Sequence, residues 1–329
     1  MSAAGPSQGA RPPLGGGREA TSGGNPSGAA GPPQGARPPR VERRGTRRTG
    51  GSSNAARYRW AWFALAAATV ALVLFPVYWM VVTSLLPSSV VLSRHPPLIP
   101  PLDKVSFAAF AEVFGRRPVL TWIWNSAVVV VGSSAISLVI SALAGYSLSR
   151  FHTPAQKIAG AALLLTKMLP GSLIVIPFFV MFTTAHLIDT RWGLIVANVA
   201  VGVPFATWMM KGFFDTLPRE LEQAAAIDGC TPLQALWHVI LPLARPGLAA
   251  CGIYLAIVAW SEFVFARTLV TKSELWTVTV GLQSFVGEYL VDWPALMAAG
   301  VVSLAPMFIL FLLLEPFLVS GLTSGAVKQ

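Results

Sequence analysis

From residue 60 onward, apolar residues come in runs too long for a soluble domain. A bilayer crossing needs about 20 mostly apolar residues. Trp60–Leu86, Trp122–Leu148, Ile158–Thr183, Gly193–Met210, Leu248–Val270 and Trp293–Val319 are six such runs. Pro170, Pro177 and Pro204 interrupt the third and fourth. A helix bundle tolerates them where neighbours satisfy the freed backbone groups. The pattern predicts an all-α polytopic membrane protein of six transmembrane helices, and the even count puts both termini on one side.

Residues 1–59 break this pattern. Up to residue 57 they are rich in Gly, Pro, Ala, Ser and Arg, without an aromatic residue or any apolar period. Such a segment buries too little surface to offset its ordering entropy and reads as a disordered tail. The expected organisation is therefore a tail over 1–59 and a membrane domain over 60–329. Gly5–Pro13 recurs at Gly31–Pro39 with eight of nine positions identical, too little for a solenoid. The tail reads either as a low-complexity extension or as a tether to anionic lipid through Arg43, Arg44, Arg47, Arg48, Arg57 and Arg59. It is not a secretory signal peptide, because the apolar run behind it is too long.

Composition agrees with the runs. Charged residues are 12% of the 329, against about 25% in soluble domains. The net charge of +10 suggests nucleic acid only until it is located. Ten Arg and two Glu lie in residues 1–59, so eight of the ten positive charges belong to the tail and no nucleic-acid partner is implied. The tail also decides orientation. With both termini cytoplasmic, sixteen Lys and Arg lie inside and six outside; without the tail the count is six against six. Cys230 and Cys251 make no disulfide framework, and His95, His152, His186 and His238 lack metal-ligand spacing, so no metal is expected.

The polar stretch from Lys211 to Arg245 cannot cross a membrane. Pro218 suits a helix start, and Glu220 and Glu222 favour the positive end of its dipole. Gly229 supplies a stop, and Thr231-Pro232 caps a second helix carrying Leu233, Leu236, Trp237 and Ile240 up to Pro242. Spacing alone leaves two readings for this helix–bend–helix: a docking element for a soluble partner, or an amphipathic hairpin lying in the lipid interface.

Here the chain resembles the permease subunits of ABC importers. Their EAA motif reads Glu-Ala-Ala, three residues, Gly, nine residues, Ile, any residue, Leu-Pro. Gln223-Ala224-Ala225, Gly229, Val239, Leu241 and Pro242 occupy those positions, with Asp228 before the Gly. Asn125-Ser126, Ala144-Gly-Tyr146 with Arg150-Phe151, Trp260-Ser-Glu-Phe263 and Gly321-Leu-Thr-Ser-Gly-Ala-Val-Lys328 are similar to the carbohydrate branch, the last to the maltose-type second permease. The matches run in order along residues 60–329. Two positions depart: the motif's Glu is Gln223, with Glu222 one residue earlier, and its Ile is Val239.

The resemblance implies a transport subunit rather than an enzyme. The chain contains no Gly-Lys pair and hence no Walker A loop. ATP and Mg would be bound by a separate dimeric ABC ATPase, whose hydrolysis drives alternating access for a sugar or oligosaccharide of maltose or trehalose type. The implied partners are that ATPase, a homologous second permease, an extracytoplasmic sugar-binding protein and membrane lipid. The implied location is the bacterial cytoplasmic membrane, with both termini cytoplasmic. The binding protein would meet Pro87–Thr121 and Thr271–Asp292. The ATPase would meet the coupling loop, at Glu222, Gln223, Ala224, Ala225, Asp228, Gly229, Leu241 and Pro242, and the C-terminal residues Gly321, Leu322, Thr323 and Lys328.

Polar residues inside spans are candidate functional groups. Lys167 lies about ten residues into the third run, roughly 15 Å deep. It either lines a translocation path or pairs structurally. Asn125 and Glu262 are further path candidates. Glu262 could instead pair with Arg267, and Asn125 could merely open a helix. Trp122, Trp124, Trp192 and Trp293 read as an interfacial belt. An ion-coupled secondary transporter would show internal repeats or intramembrane carboxylates, and a membrane-embedded enzyme would show paired acids, a Ser/His pair or metal ligands. Neither set is present in the sequence.

Overall fold

The computed structural model describes residues 52–287 and 289–326, with side chains from residue 58 to residue 316 apart from residue 172. Residues 1–51 of the expected tail lie outside the described residues, as does Lys328. The chain divides into two units, Met1–Trp60 and Ala61–Gln329. Of the first, the described part is the opening of helix α1, Ser52–Ser84, which starts eight residues inside the expected tail. Ala55, Ala56 and Arg57 are good helix formers and carry the helix back beyond its apolar run.

The second unit is helical, and among the described residues the β pairing is a single bridge between Val286 and Val291. Its elements are α2 (Ala108–Arg116), α3 (Val119–Arg150), α4 (Pro154–Met168), α5 (Gly171–Thr184), α6 (Arg191–Asp215), α7 (Glu220–Ile227), α8 (Pro232–Ala235), α9 (Arg245–Trp260), α10 (Val264–Leu269), α11 (Val278–Gln283) and α12 (Trp293–Ala326). Among the described residues four helices are long and apolar enough to cross a membrane: α1, α3, α6 and α12.

Two expected spans are broken. The third run is α4 and α5 set at 107°. Pro170 caps α5 in an extended conformation, and a proline disfavours the helical region at the residue before it, here Leu169. The fifth run ends as a helix at Trp260 and restarts at Val264. The cause is Glu262, whose carboxylate accepts the N–H groups of Phe265 at 2.7 Å and Ala266 at 2.9 Å and so starts α10 anew. Pro177 and Pro204 stay inside continuous helices.

The centre is the α3–α6 pair. Along α3, Ser133, Ser137, Ser141, Gly145 and Ser149 recur every four residues and are all buried. A small residue each turn lets two backbones approach closely without lipid between them. A Cβ on Gly145 would lie 2.9 Å from the backbone nitrogen of Lys211 and 3.0 Å from the Thr207 carbonyl. Over half of α6's apolar window is buried, against 6% for α1, so α6 is the axis and α1 an outer helix.

Candidate functional site

The polar segment after α6 folds into a hairpin against the ends of α3 and α6. Helix α7 begins at Glu220, two residues after Pro218, with Glu220 and Glu222 in its first turn. It ends in a Schellman motif. Cys230 N–H reaches the Ala225 carbonyl at 2.9 Å, and Gly229 N–H reaches Ala226 at 3.1 Å. Gly229 takes φ +84°, which glycine adopts at little cost. Thr231 then caps α8 reciprocally: its backbone N–H donates to Gln234 Oε1 at 2.8 Å and its Oγ1 accepts from Gln234 N. A π turn over Leu236–Ile240 leads to Pro242, which lacks the N–H that the His238 carbonyl would otherwise accept.

The second half of the hairpin is rooted in the bundle. Leu236 and Ile240 pack with Tyr146, Met210, Phe214 and Cys251 in one buried cluster. The first half is held by charge. Arg150, at the end of α3 and almost wholly buried, donates from Nε to Glu222 Oε1 at 2.5 Å. Its Nη1 donates to the Phe214 carbonyl at 3.0 Å and its Nη2 to the Leu217 carbonyl at 3.2 Å. The Phe214 carbonyl, in the last turn of α6, also accepts the Leu217 N–H at 3.1 Å, and Leu217 lies just past the helix end. Ser149 Oγ donates to Asp215 Oδ1 at 2.7 Å, Lys211 Nζ to Asp215 Oδ2 at 2.6 Å, and Arg219 Nη2 to the Ser149 carbonyl at 3.3 Å. One guanidinium thus joins the ends of α3 and α6 to α7.

The hairpin's outer face is exposed. Gln223, Ala224, Asp228, Gly229 and Pro242 are open to solvent, Leu241 is half-buried and Ala225 buried. Ile227, Leu233 and Trp237 add exposed apolar side chains. Glu222 and Gln223, adjacent in sequence, therefore do different things. The carboxylate is spent inside the chain and the amide faces outward. Gly321, Leu322 and Thr323 continue α12 as backbone helix.

The other candidates separate. Asn125 is fully buried, and its amide donates to the carbonyls of Glu274 at 2.7 Å and Trp276 at 3.0 Å while accepting from Arg191 Nε at 3.1 Å. It clamps a loop onto α3. Glu262 caps α10 as described and does not pair with Arg267. Lys167 is exposed on α4, with Nζ 2.5 Å from the Val201 carbonyl on α6. Trp122 is not a belt residue: it is buried against Trp276 and Phe285, and a Cβ on Gly281 would strike its ring. Trp124, Trp192 and Trp293 are exposed. Among the described residues no three His, Cys, Asp or Glu side chains gather as metal ligands.

At the bundle end away from the hairpin, Asp189 ties two loops. Its carboxylate accepts from Thr271 N at 2.6 Å, Thr271 Oγ1 at 2.7 Å and Lys272 N at 3.1 Å. Partial burial raises its pKa, but these hydrogen bonds and the Lys272 charge outweigh that and hold it below the usual carboxylate value.

The sequence profile of the binding-protein-dependent transport system inner membrane component family matches residues 137–323, which include the hairpin. The chain is 34% identical over 257 residues to the inner membrane ABC transporter permease protein YcjP of Escherichia coli, covering 78% of this chain and 91% of that protein. It is 34% identical over 270 residues to the trehalose transport system permease protein SugB of Mycobacterium tuberculosis, covering 81% and 97%. A bacterial ABC transporter involved in alginate import has a similar fold, with a TM-score of 0.67 at 22% identity over 80% of this chain and 98% of the matched one.

Proposed function

The chain belongs to the binding-protein-dependent transport system inner membrane component family as a carbohydrate ABC transporter permease, multi-pass in the inner membrane, and from that premise we propose that it is the second permease of a sugar importer driven by a separate ATPase. The observation that carries the reading is the hairpin. It is fixed to the bundle at both halves, by Arg150–Glu222 and by Leu236 and Ile240, and it leaves a continuous outer face free. A docking element must transmit force, so it has to be stiff inward and open outward. A hairpin merely floating in the lipid interface needs no buried ion pair.

In this reading six spans are reached by counting α4 with α5 as one span and α9 with α10 as another, and both termini are cytoplasmic. ATP and Mg sit on the dimeric ATPase, whose closure pushes on Gln223, Ala224, Asp228, Gly229 and Pro242. Glu222, Ala225 and Leu241 hold that face in shape, and Gly321, Leu322, Thr323 and Lys328 form a second contact with the ATPase. The motion passes through Arg150 into α3 and α6 and switches the pore between its two openings. Lys167 is the polar group offered to the path. A second permease completes the pore and an extracytoplasmic binding protein delivers an oligosaccharide of the maltose or trehalose kind. Residues 1–51, ahead of α1, carry eight arginines.

The test is purification of the tagged chain in mild detergent, identification of co-purifying proteins, and an ATPase assay with trehalose and maltodextrins. The expected result is an ATPase, a six-span subunit and a sugar-binding protein, with hydrolysis stimulated by one sugar. A chain that purifies alone and moves solute in vesicles without ATP would overturn the reading.

A further inference from the structure

A groove of about 740 Å³ opens between α3 and α6 at the end away from the hairpin. Trp124, Val128 and Val131 form its α3 wall, spaced four and three residues apart on one helix face, and Trp192 and Ile195 line the α6 side. From Trp124 to Gly132 the α3 wall runs about 12 Å, most of the roughly 15 Å thickness of one hydrocarbon leaflet. Tryptophans mark the water–lipid boundary, and both of these are exposed at the groove's mouth. The polar side chains of the groove gather at that mouth as a pair of opposite charges, Arg191 and Asp189, beside Thr190.

Both charges are held in place and both keep capacity. Arg191 is exposed; only its Nε is used, on Asn125 Oδ1, and a guanidinium carries five N–H donors. Asp189 accepts three hydrogen bonds from Thr271 and Lys272, and a carboxylate has about four lone-pair sites. Those bonds keep it ionised. A site with an apolar stripe below, an aromatic rim, and one fixed cation beside one fixed, hydrogen-bond-accepting anion matches a lipid head group with a phosphate and an N–H-bearing ammonium, one of its acyl chains lying on the stripe. A sugar would leave the apolar walls unused, and a purely anionic head group would meet Asp189.

We propose that this groove binds one aminophospholipid, with an acyl chain along the α3 stripe, its phosphate on Arg191 and its ammonium on Asp189. The site rests on the membrane location of the chain and not on which solute it moves. Occupancy would brace α3 and α6, the two helices that the hairpin moves.

The native assembly, exchanged into nanodiscs of phosphatidylcholine with added phosphatidylethanolamine or phosphatidylglycerol, tests it by native mass spectrometry of retained lipid. The expected result is one retained phosphatidylethanolamine, about tenfold preferred over the other two, as loss of one charged hydrogen bond implies. Asp189→Asn should erase the preference, because the three lipids share the phosphate and differ in the group that meets Asp189. Val131→Trp, at an exposed position that leaves the Asn125 clamp intact, should abolish retention by filling the stripe. Equal retention of all three lipids, or wild-type retention in both variants, would overturn the proposal. Lipid is counted without any transport assay, so failure here leaves the importer reading standing, and failure of the assembly to form still allows the count on the chain alone.

Discussion

At the scale of single residues, the adjacent pair Glu222 and Gln223 carries the sharpest consequence. Arg150→Ala removes the cation from the mostly buried Glu222 and takes one donor from each of the carbonyls of Phe214 and Leu217. Breaking such a pair costs about 3–5 kcal/mol, which in a chain of this size lowers the unfolding midpoint by on the order of 10 °C. Glu222→Gln retains an acceptor and should cost about half as much. Gln223→Glu, on the exposed face, should stay within about 0.5 kcal/mol. Fluorescence-monitored unfolding in detergent ranks the three, and equal shifts at 222 and 223 would refute the division of labour. Asp189 gives a pH dependence of definite sign. Its folded pKa is depressed, so the loop tie is complete above the ordinary carboxylate pKa and is lost as pH falls through the lower folded value. Hydrogen exchange at the amides of Thr271 and Lys272 should therefore quicken, relative to intrinsic rates, at acid pH. Asp189→Asn, which tolerates the φ of +54°, should remove that dependence. The roles of Arg150 and Asp189 were not legible in the sequence, because each depends on carbonyls, amides or carboxylates brought from more than 60 residues away.

At the scale of elements, local chemistry was legible and long-range chemistry was not. Gly229 as a stop and Thr231-Pro232 as a start are fixed by backbone preference within four residues, and both stand where the sequence puts them. The fifth run failed as a continuous helix because apolarity measures lipid compatibility and not helix continuity. A carboxylate that finds two amide protons three and four residues on stops one helix and begins another. The third run failed for a related reason, Pro170 acting on the residue before it. One element-level signal was present and unread: small residues at 133, 137, 141, 145 and 149 mark the face that packs on α6. That stripe predicts unequal sensitivity. Gly145→Val places carbon within about 3 Å of α6 backbone atoms, which cannot swing aside, so the helices must part and the loss should reach the upper end of about 1–3 kcal/mol for overpacking, or exceed it. Ser137→Ala should be neutral or stabilising, because its buried Oγ has no hydrogen-bond partner. The same unfolding assay separates the two, and a Gly145→Val midpoint equal to wild type would mean that α3 and α6 do not pack so closely in the membrane.

At the scale of the whole molecule, the positive-inside rule rests the expected orientation on charges that precede the first span in sequence. The membrane domain alone is balanced at six basic residues on either side, so its spans carry no preference of their own under the positive-inside rule. The rule weighs charges within about 15–20 residues of a span, and for the first span those are Arg40, Arg43, Arg44, Arg47, Arg48, Arg57 and Arg59 against Arg94 and Lys104 on its far side. Removing residues 1–51 leaves Arg57 and Arg59 facing two opposing charges, a balance without a winner. Removing them and also changing Arg57 and Arg59 to Ala reverses it. A C-terminal reporter that reads on one side of the membrane only should show full-length chain in a single orientation, the truncated chain divided between two, and the further variant inverted or degraded. If all three behave alike, orientation is imposed by something other than loop charge. Under the proposed function the candidate is the hairpin, since a chain whose exposed face meets a cytoplasmic ATPase would be retained only when that face is inside. In that case co-expression with the ATPase should rescue the truncated chain and expression without it should not, which ties the topology of the bundle to the docking face that Arg150 holds in place.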